Sequence, residues 1–302
     1  MERPDKPRET GTGAAGYLLV LGAALLWAAS AAVGKDLLAA GVSAVGLAQV
    51  RSVVAAAVMA GWLAISDRRR FAIRRRDIMP LFALGALALA GTEISYFLAI
   101  ERLPVAVAIL LQYLSPVLVL AFSVALLGER PTWAKILAAV AAVGGCFLVV
   151  GGASLGPVAA DPVGVAWGLA GAACFASYTL GSERLVRRLS PWTVLLYAFA
   201  FAGAACLAAD PALSGLAPAR DPLRWGQLLY VSILGTALPF GLFLMGIERI
   251  RATRASITAV SEPVFAAVIA YAFLGEALGG AQIAGGLLVI AAIVALRAFS
   301  SD

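Results

Sequence analysis

Ten apolar runs, each near the length of a bilayer crossing, divide the chain. They are Gly16–Leu38, Ala44–Ile65, Met79–Ile100, Pro104–Leu127, Thr132–Gly151, Val163–Ser182, Trp192–Ala209, Trp225–Ile247, Ala252–Leu274 and Gly280–Ala298. A hydrocarbon core about 30 Å thick takes about 20 residues of helix. Membrane-barrel strands would alternate apolar and polar side chains, and these runs do not alternate, so helices are predicted. The connections are short, the longest being Ser66–Ile78 and Asp210–Arg224. None of them holds a soluble catalytic domain, so any function lies between the helices.

Composition agrees with the pattern. Of 302 residues, 62% are hydrophobic and 13% charged, against about 25% charged in soluble domains. The net charge of +6 does not signal nucleic acid, because the basic residues sit in short clusters between apolar runs rather than in a stripe with interleaved aromatics. With the N-terminus in the cytoplasm, the cytoplasmic segments carry 18 of the 23 Lys and Arg, including Arg68, Arg69, Arg70, Arg74, Arg75 and Arg76. The opposite side carries Lys35, Arg102, Arg220 and Arg224, and Arg51 falls within a span. This bias predicts that both termini are cytoplasmic. Residues 1–13 are polar, with Pro, Gly and charge, and are expected to be a disordered cytoplasmic tail, and 299–302 a cytoplasmic tail. The first run follows Arg3, Lys6 and Arg8 as in a signal peptide, but it is full span length, and we expect it to be retained.

The chain also repeats itself. Ile100-Glu101-Arg102-Leu103 returns as Ile247-Glu248-Arg249-Ile250, Pro116-Val117 as Pro263-Val264, and Leu127-Gly128-Glu129 as Leu274-Gly275-Glu276, all 147 residues apart. Each half holds five spans. An odd number makes the second copy enter the membrane from the other side, so the repeats are inverted, a plan common in secondary transporters with a site at the midplane. The expected organisation is an all-α, polytopic membrane protein. Residues 14–151 form one five-helix repeat, 152–162 a linker and 163–298 the second repeat.

At these residues the chain resembles the drug/metabolite transporter superfamily, in its ten-helix EamA-type branch. The matches are Trp27-Ala28-Ala29-Ser30, Arg51, Leu111-Gln112-Tyr113-Leu114-Ser115-Pro116 with Leu127-Gly128-Glu129-Arg130, and Ser261-Glu262-Pro263-Val264 with Leu274-Gly275-Glu276. The resemblance implies a 5+5 inverted fold, export from a bacterial cytoplasm across the inner membrane, and a cavity lined by the first, third, fourth, sixth, eighth and ninth spans. It does not fix a substrate, since the superfamily carries amino acids, sugars, drugs and other metabolites. Where the second half has Glu262, the first has Ser115.

Charge inside a membrane span is costly and needs a reason. Arg51, Glu93 and Glu262 are the charged residues well inside spans. They are candidates for binding a charged group or relaying protons, or else for an internal ion pair; Glu93 and Glu262 are the proton-coupling candidates. Pro116, Pro263 and Pro239 are candidate hinges, because a helix-interior proline leaves the carbonyl four residues earlier without its donor, here on Gln112, Ala259 and Gly235. Trp27 and Ser30, Glu93 and Tyr96, Gln112 and Ser115, and Phe175 and Tyr178 are each three apart and so share a helix face. With Arg51, the non-acidic members form the candidate substrate-binding set: Trp27, Ser30, Arg51, Tyr96, Gln112, Ser115, Phe175 and Tyr178. Ordinary helix packing is the competing reading for each aromatic. Gly144-Gly145 and Gly285-Gly286 permit close helix contact, within the bundle or in a homodimer, and Glu129 and Glu276 end their helices as structural groups.

No catalytic residues, metal site or cofactor are expected. Histidine is absent, which removes histidine triads, His-ligated metals and histidine relays. Cys146, Cys174 and Cys206 match no metal or redox spacing. There is no phosphate-binding loop, so transport draws on a gradient or is passive. The expected function is a secondary transporter exporting small amphipathic metabolites such as amino acids, aromatic ones included, by alternating access. The expected partners are a small-molecule substrate and the lipid bilayer, and no nucleic acid, in a monomer or homodimer. A channel-like facilitator of the same fold, and an intramembrane enzyme, are the alternatives.

Overall fold

The computed structural model describes residues 12–103, 105–150, 161–213, 216, 221–274 and 279–299. Most of the two expected tails, most of the linker, Arg220 and the Gly275-Glu276 pair lie outside these residues. Every regular element among them is helical. Eight helices are long and apolar enough to cross a membrane, and Trp133–Val149 and Glu262–Phe273 are shorter apolar helices. Together they make the ten expected spans.

The first span is Thr12–Ala39 and the second Ala44–Ser66, opened by the Ser43 side chain accepting from the Gly46 N–H. The third runs over Arg75–Arg102. The fourth comes in two pieces, Val105–Gln112 and Ser115–Leu127, and the fifth is Trp133–Val149. The second half follows the same order. The sixth span is Pro162–Val186, with the Asp161 carboxylate capping the Val163 and Gly164 N–H groups, and the seventh is Pro191–Ala209. The eighth and ninth are separated by a single non-helical residue, Arg251, at φ 70° and ψ 165°, where the chain kinks sharply from one helix into the next. The eighth therefore covers 222–250. The ninth covers 252–259 and then Glu262–Leu274. The tenth is Gly280–Ala298.

Two irregularities recur at related places in the halves. The third span contains a π-helical stretch at Ala83–Leu89, and the eighth contains one at Ile233–Ala237. The fourth span breaks at Tyr113-Leu114, and the ninth at Val260-Ser261. Pro116 and Pro263 thus stand in the first turn of the distal pieces, not within continuous helices as the sequence suggested. Proline suits that position because its missing N–H has no helical acceptor to serve there.

The most extensive helix contacts pair the first span with the eighth, the third with the sixth, the second with the seventh and the fifth with the tenth. Exchanging corresponding spans of the two halves turns the first pair into the second and returns each of the last two pairs to itself. In the fifth–tenth pair the backbones touch. A Cβ on Gly145 would lie 2.7 Å from the Gly285 carbonyl oxygen, and one on Gly285 would lie 2.6 Å from that of Gly145. Gly145 and Gly285 thus serve contact within the bundle, whereas a Cβ on Gly144 would meet nothing within 4 Å. Large exposed side chains such as Leu18, Leu137, Phe147, Leu287 and Val294 face outward, as a lipid-covered surface requires.

Candidate functional site

A cavity of about 120 Å³ sits at the middle of the bundle. The first span supplies Trp27, Ser30 and Lys35, the second Arg51, and the third Thr92, Glu93, Tyr96 and Phe97. From the broken fourth span come Gln112, Tyr113 and Ser115, from the sixth Phe175, from the eighth Val231 and Phe240, and from the ninth Ala259 and Glu262. The cavity continues past Gly34 and Leu38 on the first span and Ile100 on the third. It thus reaches toward the end of the molecule that carries few basic residues.

Arg51 is the centre of one polar cluster. Its Nη2 lies 3.4 Å from Glu93 Oε1, and Ser52 Oγ donates to Glu93 Oε2 at 3.3 Å. Arg51 Nε donates to Thr236 Oγ1 at 2.8 Å, and Nη2 reaches the Gly235 carbonyl at 3.5 Å. Both acceptors belong to the π-helical turn of the eighth span, where Thr236 Oγ1 also donates to the Val231 carbonyl five residues back. Gly235 is the residue whose carbonyl Pro239 leaves without its usual donor. The guanidinium also stands 5.3 Å from the centre of the Phe97 ring. A buried cation is costly unless paired and hydrogen-bonded, and these contacts meet both conditions. No described hydrogen bond uses Arg51 Nη1.

Glu262 forms a second cluster, on the ninth span. Tyr113 Oη donates to its Oε2 at 2.5 Å. Both residues stand at the breaks, Tyr113 just after the first piece of the fourth span and Glu262 at the start of the second piece of the ninth. Pro116 and Pro263 have no N–H for the carbonyls of Gln112 and Ala259, and both of those residues line the cavity. Ser115 Oγ, at the position related to Glu262, is buried without a hydrogen-bond partner.

Part of the cavity's lining is aromatic. The Trp27 ring meets Phe175, Phe240 and Phe243 edge-on at 6.4, 5.2 and 5.5 Å between centres. The structure thus brings together Trp27, Ser30, Arg51, Glu93, Tyr96, Gln112, Ser115, Phe175 and Glu262 of the expected set. Tyr178 is a correction. It is fully buried behind the wall, 6.4 Å from Phe175 and 5.5 Å from Phe240, and does not line the cavity. Pro116, Pro263 and Pro239 shape the helices without lining it.

Sequence reasoning did not single out Tyr113, Lys35 or Phe240. Tyr113 carried a usable signal: it adjoins Gln112 at the break that Pro116 foretells, and a tyrosine hydroxyl in an apolar span needs a partner. Also missed was Glu183, only 2% exposed at the basic end of the sixth span. Its Oε1 accepts from Arg187 Nη2 at 2.6 Å and Arg251 Nε at 3.1 Å, and its Oε2 from the Ala252 N–H at 2.8 Å. It caps the ninth span and ties down the unusual backbone at Arg251. Beside it, Glu129 accepts from Thr253 Oγ1 at 2.6 Å and pairs with Lys135 Nζ at 2.9 Å, while Ser123 Oγ lies 3.1 Å from Thr253 Oγ1, within hydrogen-bond reach. The end opposite the cavity mouth is therefore closed by buried polar contacts.

The sequence profile of the EamA-like transporter family matches residues 14–151 and again residues 162–298. The chain belongs to the EamA-like transporter family. Among its relatives, the threonine/homoserine exporter RhtA of Salmonella typhimurium is 34% identical over 230 residues, 74% of this chain and 72% of that one. The uncharacterized inner membrane transporter YicL of the same species is 25% identical over 94% of this chain and 95% of its own length. An uncharacterized transporter of Archaeoglobus fulgidus is 30% identical over 72% of this chain and 75% of its own. A solved crystal structure shares the fold at a TM-score of 0.78, covering 95% of this chain and 99% of that one at 21% identity. This EamA-type protein is a membrane transporter rather than an enzyme, multi-pass and of the bacterial inner membrane, acting on a small molecule.

Proposed function

We propose that the protein exports small amphipathic zwitterions, amino acids foremost and aromatic ones included, by alternating access. The observation that carries this reading is that one cavity is lined by an arginine cluster, by the separate Glu262–Tyr113 pair and by aromatic rings. A zwitterion offers a carboxylate to Arg51 Nη1 and an ammonium to Glu262, while its side chain lies on Trp27 and Phe175. The volume of about 120 Å³ favours a compact metabolite over drug-sized ligands, whose pockets run to about 300–1,000 Å³. The relative named as a threonine/homoserine exporter points to the same class of solute.

On this reading both termini are cytoplasmic, and the cavity opens toward the far side. Residues 14–151 and 163–298 are the two repeats. The cavity lies between the first–eighth pair and the third–sixth pair, and the moving bodies therefore each draw helices from both repeats. Glu262 is the coupling group: it is reachable from the cavity and stands at a helix break. Thiol labelling at Asp302 and in the Ser66–Ile78 loop tests the orientation, and an outward location for either defeats it.

Export assays on a panel of amino acids in overproducing cells test the substrate class. Loss of export of every zwitterion tested, with neutral metabolites still exported, would reject it. In liposomes Glu262→Gln should abolish accumulation driven by a pH gradient and leave counterflow exchange intact. Normal accumulation by that variant would return Glu262 to a structural role and leave Glu93 or passive facilitation as the account.

A further inference from the structure

A second cavity, of about 540 Å³, lies away from the transport site, between the third and sixth spans. Ala83, Leu84 and Leu87 form one wall, and Ser177 and Gly181 the other. The third-span residues belong to the π-helical stretch, whose wider turn pushes the backbone out of regular packing. The groove opens sideways, where Leu87 is 64% exposed and Ser177 also faces out. Its length is apolar. The Ser177 hydroxyl is already given to the Ala173 carbonyl at 2.8 Å.

One end of the groove is different. Arg184 and Arg188 line it there, and both are exposed. Arg74, Arg75 and Arg76 stand exposed at the start of the third span, on the same end of the bundle. The acids nearest in the chain are turned inward. Asp77 is 2% exposed behind Arg188, at 3.4 Å, and Glu183 is buried against Arg187 and Arg251. The mouth thus presents cations over an apolar slot that faces lipid.

From this arrangement we infer that the groove is a binding site for an anionic phospholipid of the leaflet at the basic end. An acyl chain lies along Leu84, Leu87 and Gly181, and the headgroup phosphate meets Arg184 and Arg188. Basic pockets between membrane helices recognise anionic headgroups in this way, at about 1 kcal/mol for each arginine near the surface. A lipid seated there wedges the third–sixth pair, which forms one side of the transport cavity.

The test uses the full-length purified chain in a neutral detergent, with thermal unfolding followed as lipid is added. Phosphatidylglycerol should raise the midpoint saturably, while phosphatidylcholine and inorganic phosphate should not. Arg184→Gln and Arg188→Gln should each weaken the phosphatidylglycerol response roughly fivefold. Ser177→Trp fills the slot without touching the charges and should abolish the response. Arg297→Gln, at the exposed end of the tenth span, should leave it unchanged. Equal responses to both lipids would mean ordinary annular contact and overturn the proposal. So would a response to inorganic phosphate alone, or a full phosphatidylglycerol response in Ser177→Trp.

Discussion

The two ends of the bundle are held together by different physics. At the basic end the Glu183 carboxylate, with 3% of its side chain exposed, gathers Arg187, Arg251 and the Ala252 backbone, and Glu129 with 2% exposed gathers Lys135 and Thr253. At the other end the ion pairs are wet. Arg102 meets Asp161 at 3.3 Å with 48% and 29% of the side chains exposed, and Asp36 pairs with Arg224 while half exposed itself. Exposed pairs contribute little. Cohesion there comes from the backbone contact of Gly145 with Gly285, near the close of the fifth span and the start of the tenth. A transporter caught open at one end should show this contrast. The shut end needs specific, desolvated contacts that can be exchanged for water, and the open end needs only to keep its outer helices together.

The contrast can be broken most strongly at Glu183. Glu183→Ala leaves the ninth span uncapped and two arginines without their acid. It should cost about 2–3 kcal/mol, below the full value for a buried pair because Arg187 and Arg251 are partly exposed. Thermal unfolding measures the loss. A cysteine introduced at the buried Ala255 should at the same time become reactive to thiol reagents. Unchanged stability with no new reactivity would mean that the network is not what closes this end.

Gly285→Val attacks the opposite end. It drives a side chain into the Gly145 carbonyl and should cost about 1–3 kcal/mol by overpacking, read in the same unfolding assay. Retention of wild-type stability would show that the fifth and tenth spans can separate freely.

A smaller effect is expected from Glu129. Burial alone would raise its pKa, but the hydrogen bonds from Thr253 and Lys135 outweigh burial and hold it below its ordinary value. A depressed carboxylate stabilises the fold above its unfolded pKa, about 4.3, and that stability is lost as pH falls through the folded value. Thr253→Val removes a donor and brings the folded pKa back toward the unfolded one, so the acid loss should be smaller and complete at a higher pH than in the wild type. Coincident pH profiles would show that Thr253 does not govern Glu129. The smallest change is expected from Arg102→Gln, whose exposed pair with Asp161 should leave the unfolding midpoint within error. A clear drop would remove the distinction between the two ends.

Much of this architecture was legible in the chain. Span lengths and the 147-residue repeat required only hydropathy and residue spacing. Arg51, Glu93 and Glu262 stood out because charge is costly in lipid, and Pro116 and Pro263 marked the breaks to within a few residues. What stayed hidden depends on how helices rotate against one another. Nothing in the sequence says that Arg51 faces Glu93 rather than Glu262, or that Phe175 borders the cavity while Tyr178, three residues on, lies behind it. Glu183 sits close enough to a span end to pass for a loop charge. Arg251 carries no glycine or proline signal for its turn, because the feature that holds it, the Glu183 carboxylate, is 68 residues away.

The cross-pairing of helices has a consequence for how the protein is made. The main partners of the first, second, third and fifth spans all lie in the later half of the chain, so during synthesis the early helices enter the bilayer before those partners exist. Arg51 is the residue most exposed to this delay, since Thr236 and Gly235 arrive nearly two hundred residues later. Glu93 does not: it belongs to the next span to emerge. The pairing with Glu93 can therefore form before the contacts with the eighth span exist, and those later contacts complete the wall of the finished cavity.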